Sequence, residues 1–206
     1  MITLINYGVG NISSFLSAYH KLNITVQVVS DPDSLGKDTH IILPGVGAFK
    51  NAMKNLESTG FIEPLSRLVL EKRCNILGVC VGFQMMGLQS DESPRTKGLG
   101  WIKMSSVKLS HVHGEGITLP HMGWNIASQK KDCPLLHSLN SNEFYFLHSY
   151  GFNSDDSDSV TSEFFYGNRF ISTFSKQNIF GTQFHPEKSH KQGLRILKNF
   201  AETDLC

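Results

Sequence analysis

The chain has 206 residues, enough for one sizeable core, and its 19 Lys plus Arg against 18 Asp plus Glu leave a formal charge of +1. That balance offers no basic face to nucleic acid and no pull toward an acidic membrane surface. The four cysteines, Cys74, Cys80, Cys133 and Cys206, show no Cys-x-x-Cys spacing, which argues against a zinc site and predicts a reduced, cytoplasmic compartment.

Ile2 to Asn6 reads as a first strand, too short to span or target a membrane. Gly8-Val9-Gly10 follows, then a helix over Ile12 to Leu22 with Asn11 as its N-cap and Ile12, Phe15, Leu16 and Tyr19 at helical spacing. Ser13 stands where a dinucleotide loop needs its third glycine, so Gly-x-Gly reads as a tight turn. Thr25 to Val29 and Ile41 to Leu43 are the next strands, with Asp31-Pro32-Asp33-Ser34 marking a turn and helix start between them. Pro44-Gly45-Val46-Gly47-Ala48-Phe49 is a loop with two readings. Its glycines serve unusual backbone angles, or one of its peptide N–H groups serves developing negative charge. Phe61 to Arg73 places Phe61, Leu65, Leu68 and Val69 on one helical face. Asn75 to Val79 is then a short buried strand leading straight into Cys80, with a helical pattern after it.

The order β-α-β-α-β-α-β-Cys-α predicts an α/β fold, a doubly wound and mostly parallel sheet flanked by helices. Gly8, Gly45 and Cys80 fall at the carboxyl edge of that sheet, where such folds keep their functional loops. Beyond Gly98-Leu99-Gly100-Trp101 the pattern turns to short β-rich runs: Lys103 to Leu109, Ile117 to Leu119, Phe144 to His148, Ser162 to Tyr166, Phe170 to Phe174 and Ile179 to Phe184. They predict a mixed or antiparallel extension of the sheet. A helix from about Lys191 to Glu202, apolar at Leu194, Leu197 and Ala201, closes the chain. With no repeat, low-complexity tract or linker, residues 1–206 are expected to form one domain.

Two stretches carry chemistry. Gly78-Val79-Cys80-Val81-Gly82 is a Gly-x-nucleophile-x-Gly elbow, where a sharp strand-to-helix turn needs small neighbours and sets the thiol at a helix N-terminus. Alone it is compatible with an inert core cysteine. In Gln183-Phe184-His185-Pro186-Glu187, Pro186 keeps His185 extended, so that His185 and Glu187 project to one side if the extension persists. The carboxylate then fixes the imidazole tautomer and leaves the other ring nitrogen for a thiol. A surface pair is the alternative for the two residues alone; joined to the elbow they complete a Cys-His-Glu triad. His111, His113 and His121 have no carboxylate or cysteine at matching spacing, so no metal site is expected. A papain-like peptidase is disfavoured by a glycine elbow in a parallel sheet, and a catalytically silent binding module by an intact triad.

The elbow through Gln84, with His185-Pro186-Glu187, resembles the class I (triad) glutamine amidotransferases. Tyr7-Gly8-Val9-Gly10-Asn11, Leu43 to Phe49, Leu119-Pro120-His121-Met122-Gly123-Trp124-Asn125, Tyr145-Phe146-Leu147-His148-Ser149-Tyr150 and Gln183 to Ser189 narrow the resemblance to the glutaminase subunits of imidazole glycerol phosphate synthases. The resemblance implies Cys80 as nucleophile, His185 as proton carrier and Glu187 as its orienter. It implies an oxyanion hole from Val81 and the Gly45-Val46 peptide, which turns to donate, and glutamine contacts from Gln84, Glu92, Ser149 and Tyr150. It also implies no cofactor, and docking through Asn11, Trp124, Asn125, Tyr145 and Lys188 on a (β/α)8-barrel synthase subunit that receives the ammonia. The barrel would make imidazole glycerol phosphate and the aminoimidazole carboxamide nucleotide of histidine biosynthesis. Gly87, Leu88 and Gln89 depart from the usual pattern. With Gly181-Thr182-Gln183 and Lys188-Ser189-His190-Lys191, they resemble paralogues that feed ammonia, with their own barrel, to a surface-polysaccharide sugar amidotransferase.

Overall fold

The structure, a computed structural model, describes residues 1–36, 40–92, 94–110, 116–154 and 157–203. In chain order the elements are β1 (Ile2–Ile5), α1 (Ile12–Lys21), β2 (Val26–Val29), β3 (His40–Leu43), α2 (Phe49–Ser58), α3 (Ile62–Ser66), β4 (Asn75–Val79) and α4 (Val81–Met85). There follow β5 (Gln89–Ser90), β6 (Thr96–Lys97), β7 (Ser105–Lys108), β8 (His121–Ile126), β9 (Ser128–Gln129), β10 (Glu143–His148) and β11 (Tyr150–Gly151). The chain ends with β12 (Val160–Phe165), β13 (Arg169–Lys176), β14 (Ile179–Thr182) and α5 (His190–Ala201).

The main sheet runs β2-β1-β3-β4-β14-β13-β12-β9. Its first five strands are mutually parallel and the last three pair antiparallel, as the change in sequence texture predicts. From β1 the chain moves outward to β2, and from β3 it moves the other way to β4. Right-handed crossovers therefore put α1 and α2 on opposite faces, and the turning point lies between β1 and β3. That crevice is closed: the Tyr7 hydroxyl donates to the Pro44 carbonyl at 2.7 Å, and a Cβ on Gly10 would press on the Pro44 ring at 2.8 Å. The open edge lies one strand further on, at the end of β4. All five β4 residues are buried. Two smaller sheets, β8–β10 and β11-β7-β5-β6, stand beside this edge.

Several expectations are corrected. Asp31-Pro32-Asp33-Ser34 opens no α-helix: the chain makes only a 3-10 turn at Pro32–Ser34, capped by the Asp31 carboxylate at the Asp33 N–H. The Phe61 to Arg73 segment is a five-residue helix, α3, followed by a wide π turn over Arg67–Glu71, though Phe61, Leu65, Leu68 and Val69 are all buried as the spacing requires. Helix α2 was not anticipated, yet Phe49, Ala52, Met53 and Leu56 carry the helical period and are buried. Leu16 is 39% exposed, so the buried face of α1 is Phe15, Ala18 and Tyr19. Ile117 to Leu119 is not a strand; pairing starts at His121. In α5 the fully buried residues are Gly193, Ile196, Leu197 and Phe200, with Leu194 and Ala201 partly buried against the core as the spacing requires. Asn11 caps α1 as expected, accepting from the Ser14 N–H at 3.3 Å. His111, His113 and Cys206 lie outside the described residues.

Candidate active site

The elbow forms because β4 cannot continue and the residues around Cys80 leave room for a turn. Cys80 takes φ 54 and ψ −111, a left-handed conformation costing a residue with a Cβ about 1–3 kcal/mol. Its N–H remains in the ladder, donating to Thr182 O at 2.8 Å, so the sheet holds the strain in place. Gly78 has no room for a side chain, since a Cβ there would lie 2.7 Å from the Phe83 Cα. Gly82 and Gly45 are pressed together: a Cβ on Gly82 would strike the Leu43 carbonyl, and one on Gly45 would strike the Gly82 N–H. The elbow and the Gly45-Val46-Gly47 loop are therefore packed as one unit.

His185 reaches the site from beyond β14. It is extended, with φ −97 and ψ 96, as Pro186 demands. Its N–H donates to Tyr145 O at 2.9 Å, and the Ser189 hydroxyl bridges the His185 carbonyl at 2.6 Å and the Tyr145 N–H at 3.0 Å. The extension does not persist to Glu187, because Pro186–Lys188 is a 3-10 turn. The turn still carries Glu187 Oε1 to 2.8 Å from His185 Nδ1, with both side chains buried. Burial alone would lower the His185 pKa. The Cys80 sulfur and the Glu187 carboxylate overcome it and raise the value to about 10. The charged imidazole is thus favoured, and the bond at Nδ1 turns Nε2 toward the Cys80 sulfur.

The Cys80 sulfur has two other neighbours. Leu147 O lies 3.8 Å away and Gln183 Nε2 3.7 Å away. Gln84 donates from Nε2 to Tyr150 O at 2.6 Å and to Gln183 Oε1 at 3.1 Å, which leaves its own carbonyl free to face a ligand. Beside the elbow is a cavity of about 310 Å³ lined by Val46, Gly47, Val81, Gln84, Glu92, Ser149, Tyr150 and His185 among others. This size suits a single amino acid. Glu92 is anchored there by accepting the Phe49 N–H at 2.8 Å, at the start of α2. A larger depression of about 690 Å³ beside β2 is lined by Leu16, Ser17, His20, Lys21 and Val26, away from Cys80 and His185. The sequence-predicted triad and pocket residues therefore come together, with Gly45 just behind the cavity wall.

The residues expected at a docking face divide. Trp124 and Tyr145 are cross-strand partners on β8 and β10, their rings 6.2 Å apart edge to face. Lys188 Nζ stands 5.8 Å over the Tyr145 ring, and His190 stacks on Trp124 at 5.1 Å. Asn11 sits at the head of α1, which packs against the Pro186–Lys188 turn. The Asn125 side chain points the other way, giving its N–H to His121 Nε2 at 3.2 Å and to Phe165 O at 3.1 Å.

Two groups went unassigned in the sequence. Gln183 is one, although alternation along an extended strand puts residues 183 and 185 on one side. The other is a buried histidine chain. His121 Nδ1 lies 3.3 Å from His148 Nε2, and His148 Nδ1 lies 2.8 Å from Tyr150 O. Since Tyr150 O can only accept, both imidazoles carry their proton on Nδ1. Burial lowers the His121 pKa to about 4. Burial, together with the charges of His121 and His185 and against the bond to Tyr150 O, lowers that of His148 to about 3. Below pH 6.5 the unfolded chain binds two protons that the folded chain refuses. The stability these rings contribute is whole above pH 6.5 and is lost as pH falls toward 4 and 3. Unfolding free energy is expected to drop by up to about 2.7 kcal/mol per pH unit from this pair. Urea titrations at pH 7, 6 and 5 should show the slope flattened in His148→Gln; an unchanged slope refutes the assignment.

A strained cysteine elbow on a parallel sheet, backed by a His-Glu pair, defines a class-I glutamine amidotransferase, and the family model of that description matches residues 3–203. Solved structures agree in fold: a glutamine amidotransferase crystal structure superposes with TM-score 0.74 at 17% identity over 98% of this chain and 97% of that one. The structure of PurLQS from Thermotoga maritima gives 0.72 at 18%, covering 97% and 96%. Imidazole glycerol phosphate synthase subunit HisH 2 of Pseudomonas aeruginosa is 40% identical over 98% of this chain and 99% of its own length. Subunit HisH of Bdellovibrio bacteriovorus is 42% identical over 98% and 100%. The chain belongs to this family of HisH subunits.

Proposed function

We propose that residues 1–206 form one glutaminase domain that hydrolyses glutamine through Cys80, His185 and Glu187 and passes the ammonia to a (β/α)8-barrel synthase subunit of histidine biosynthesis. The observation that carries this reading is the strained Cys80 beside a His185 whose Nδ1 is held at 2.8 Å by a buried Glu187. Glutamine would occupy the cavity of Gln84, Glu92, Ser149 and Tyr150. The Cys80 sulfur forms a bond to the carboxamide carbon as the carbonyl electron pair moves onto oxygen. That oxyanion meets the Val81 N–H and one from Gly45-Val46-Gly47. On collapse the C–N bond breaks, His185 Nε2 gives its proton to the departing nitrogen, and ammonia leaves a thioester. Water then adds, its proton returns to His185, the C–S bond breaks, and glutamate is released. No cofactor enters these steps.

Ammonia is mostly protonated in neutral water, so a sheltered handover is needed. The outer face of β8 suits it: Met122, Trp124 and Ile126 alternate outward, 66%, 44% and 59% exposed, with Phe165 also exposed. A row of large apolar side chains in water marks a surface for another protein. We take Trp124, Tyr145 and Lys188 as its centre, with Asn11 beside them and Asn125 contributing from behind. No helix among the described residues is long and apolar enough to cross a membrane. Cys74, Cys80 and Cys133 are free thiols, which suits a reducing compartment, and we infer the cytoplasm.

Because the Gly45-Val46 peptide must donate for the oxyanion hole to be complete, the isolated chain is expected to be a poor glutaminase. Adding the barrel with its ligand should raise kcat more than it lowers KM, since oxyanion contacts act in the transition state. Steady-state assays with and without the barrel test this; full activity of the isolated chain overturns the switch.

A further inference from the structure

We propose that Gln183 is a catalytic residue whose side-chain N–H is the hydrogen-bond donor that holds the Cys80 sulfur in its reactive thiolate form. The inference rests on the reading of Cys80 as nucleophile and adds to it a group outside the triad.

The geometry fixes which end of the Gln183 amide faces sulfur. Tyr150 O is a backbone carbonyl and can only accept, so the Gln84 amide must turn its nitrogen toward it, at 2.6 Å. The second N–H of that nitrogen then points to Gln183, which must offer its oxygen, at 3.1 Å. That leaves Gln183 Nε2 against Cys80 Sγ at 3.7 Å. Flipping Gln183 alone would set two N–H groups against each other, and flipping both amides would set two carbonyls against each other at 2.6 Å. Tyr150 O is held in turn by His148 Nδ1 at 2.8 Å.

Opposite Gln183, Leu147 O faces the same sulfur at 3.8 Å. The two neighbours select different protonation states. A thiol S–H donates to Leu147 O and accepts only weakly from an N–H donor. A thiolate loses that bond, is repelled by the carbonyl, and accepts from Gln183 and His185. Gln183 is fully buried, so no water replaces its donor when it is removed. A hydrogen bond made to only one protonation state shifts the balance toward that state. The work of His185 differs, because its proton leaves with the ammonia whereas the Gln183 N–H stays on the sulfur throughout.

The test is the rate of Cys80 alkylation by iodoacetamide as a function of pH, with the modified residue located by mass spectrometry. Cys133 is a poor competitor: it is buried, and burial pushes its thiol up against several hydrogen bonds that lower it. Gln183→Leu should slow alkylation of Cys80 about tenfold at pH 7, and Gln183→Glu, which places an oxygen where the donor was, by about a hundredfold. Both deficits should close at high pH, where every thiol is ionised; mere loss of packing changes access equally at all pH values. Should these variants not fold, the wild-type protein labelled with 15N-glutamine serves. The Gln183 side-chain amide resonance should move as the Cys80 thiol titrates and lose that movement in Cys80→Ala. Alkylation at wild-type rates in folded Gln183 variants, or an amide signal indifferent to Cys80, overturns the proposal. A Cys80→Ala protein that still hydrolyses glutamine would instead overturn the nucleophile assignment on which it rests.

Discussion

Cys80→Ala is expected to lower glutamine hydrolysis by on the order of 10⁴-fold or more while leaving the fold and partner binding intact, because removing the nucleophile of a triad leaves only binding and oxyanion stabilisation. Alanine keeps the Cβ, so the φ 54 conformation is no more strained than before, and the N–H still donates to Thr182 O. What disappears is the sulfur between His185, Gln183 and Leu147. Circular dichroism and co-elution with the barrel should match wild type. Cys133→Ser is the control; Cys133 is buried among hydroxyls of the β12–β13 region, away from the cavity, and should change activity little. Hydrolysis by Cys80→Ala at near wild-type rate, with barrel and acceptor nucleotide present, would refute the triad.

The strand order around the elbow was legible because a parallel sheet with a helix on each face leaves a direct trace: apolar runs, a turn glycine, then a helical period. Cys80, His185 and Glu187 were legible for a related reason. Each depends on local backbone chemistry, a glycine elbow in one case and a proline-restricted histidine in the other. The 3-10 turn at Pro186–Lys188 was not legible, yet from that turn the Glu187 side chain still reaches His185 Nδ1 at 2.8 Å. What the sequence hid was pairing across long separations. Nothing local says that Gln84 meets Tyr150 O and Gln183, or that His121 and His148 are register partners on β8 and β10. Likewise Asn125 reads as a neighbour of Trp124, but a strand turns adjacent side chains to opposite faces. Trp124 meets solvent while Asn125 closes the histidine chain.

Strand β10 joins the exposed face to the chemistry. Its Tyr145 ring lies beside Trp124 and Lys188, while its Tyr145 carbonyl holds the His185 N–H and its Leu147 carbonyl faces the Cys80 sulfur. A partner that displaced this strand by a fraction of an ångström would displace groups that contact both His185 and Cys80. Gly87, Leu88 and Gln89, the positions that depart from the usual pattern, are not in this pair of strands. They lead into β5 of the separate β11-β7-β5-β6 sheet, where Gly87 is required because a Cβ would lie 2.7 Å from Met104 O. Leu88 is 47% exposed there. The departures therefore lie outside the strands that carry Trp124, Tyr145 and Leu147.

Glutamine-dependent product formation with a histidine-pathway barrel is accordingly expected. The chain is mixed with that barrel and its formimino nucleotide, and glutamine is compared with free ammonium salt as nitrogen source. Glutamine should support synthesis and Cys80→Ala should abolish that synthesis, while ammonium should support it in both cases, since free ammonia bypasses the glutaminase altogether. Trp124→Ala removes an aromatic ring 44% exposed at the centre of the proposed docking face. If that ring anchors the barrel, the variant should weaken the complex by about tenfold or more. It should reduce glutamine-dependent synthesis at limiting partner concentration and leave ammonium-dependent synthesis unaffected. Product from ammonium alone, with none from glutamine and no detectable complex, would exclude the histidine-pathway barrel. A sugar amidotransferase acceptor would then be the reading to test, with the same Cys80 chemistry and a different barrel against Trp124.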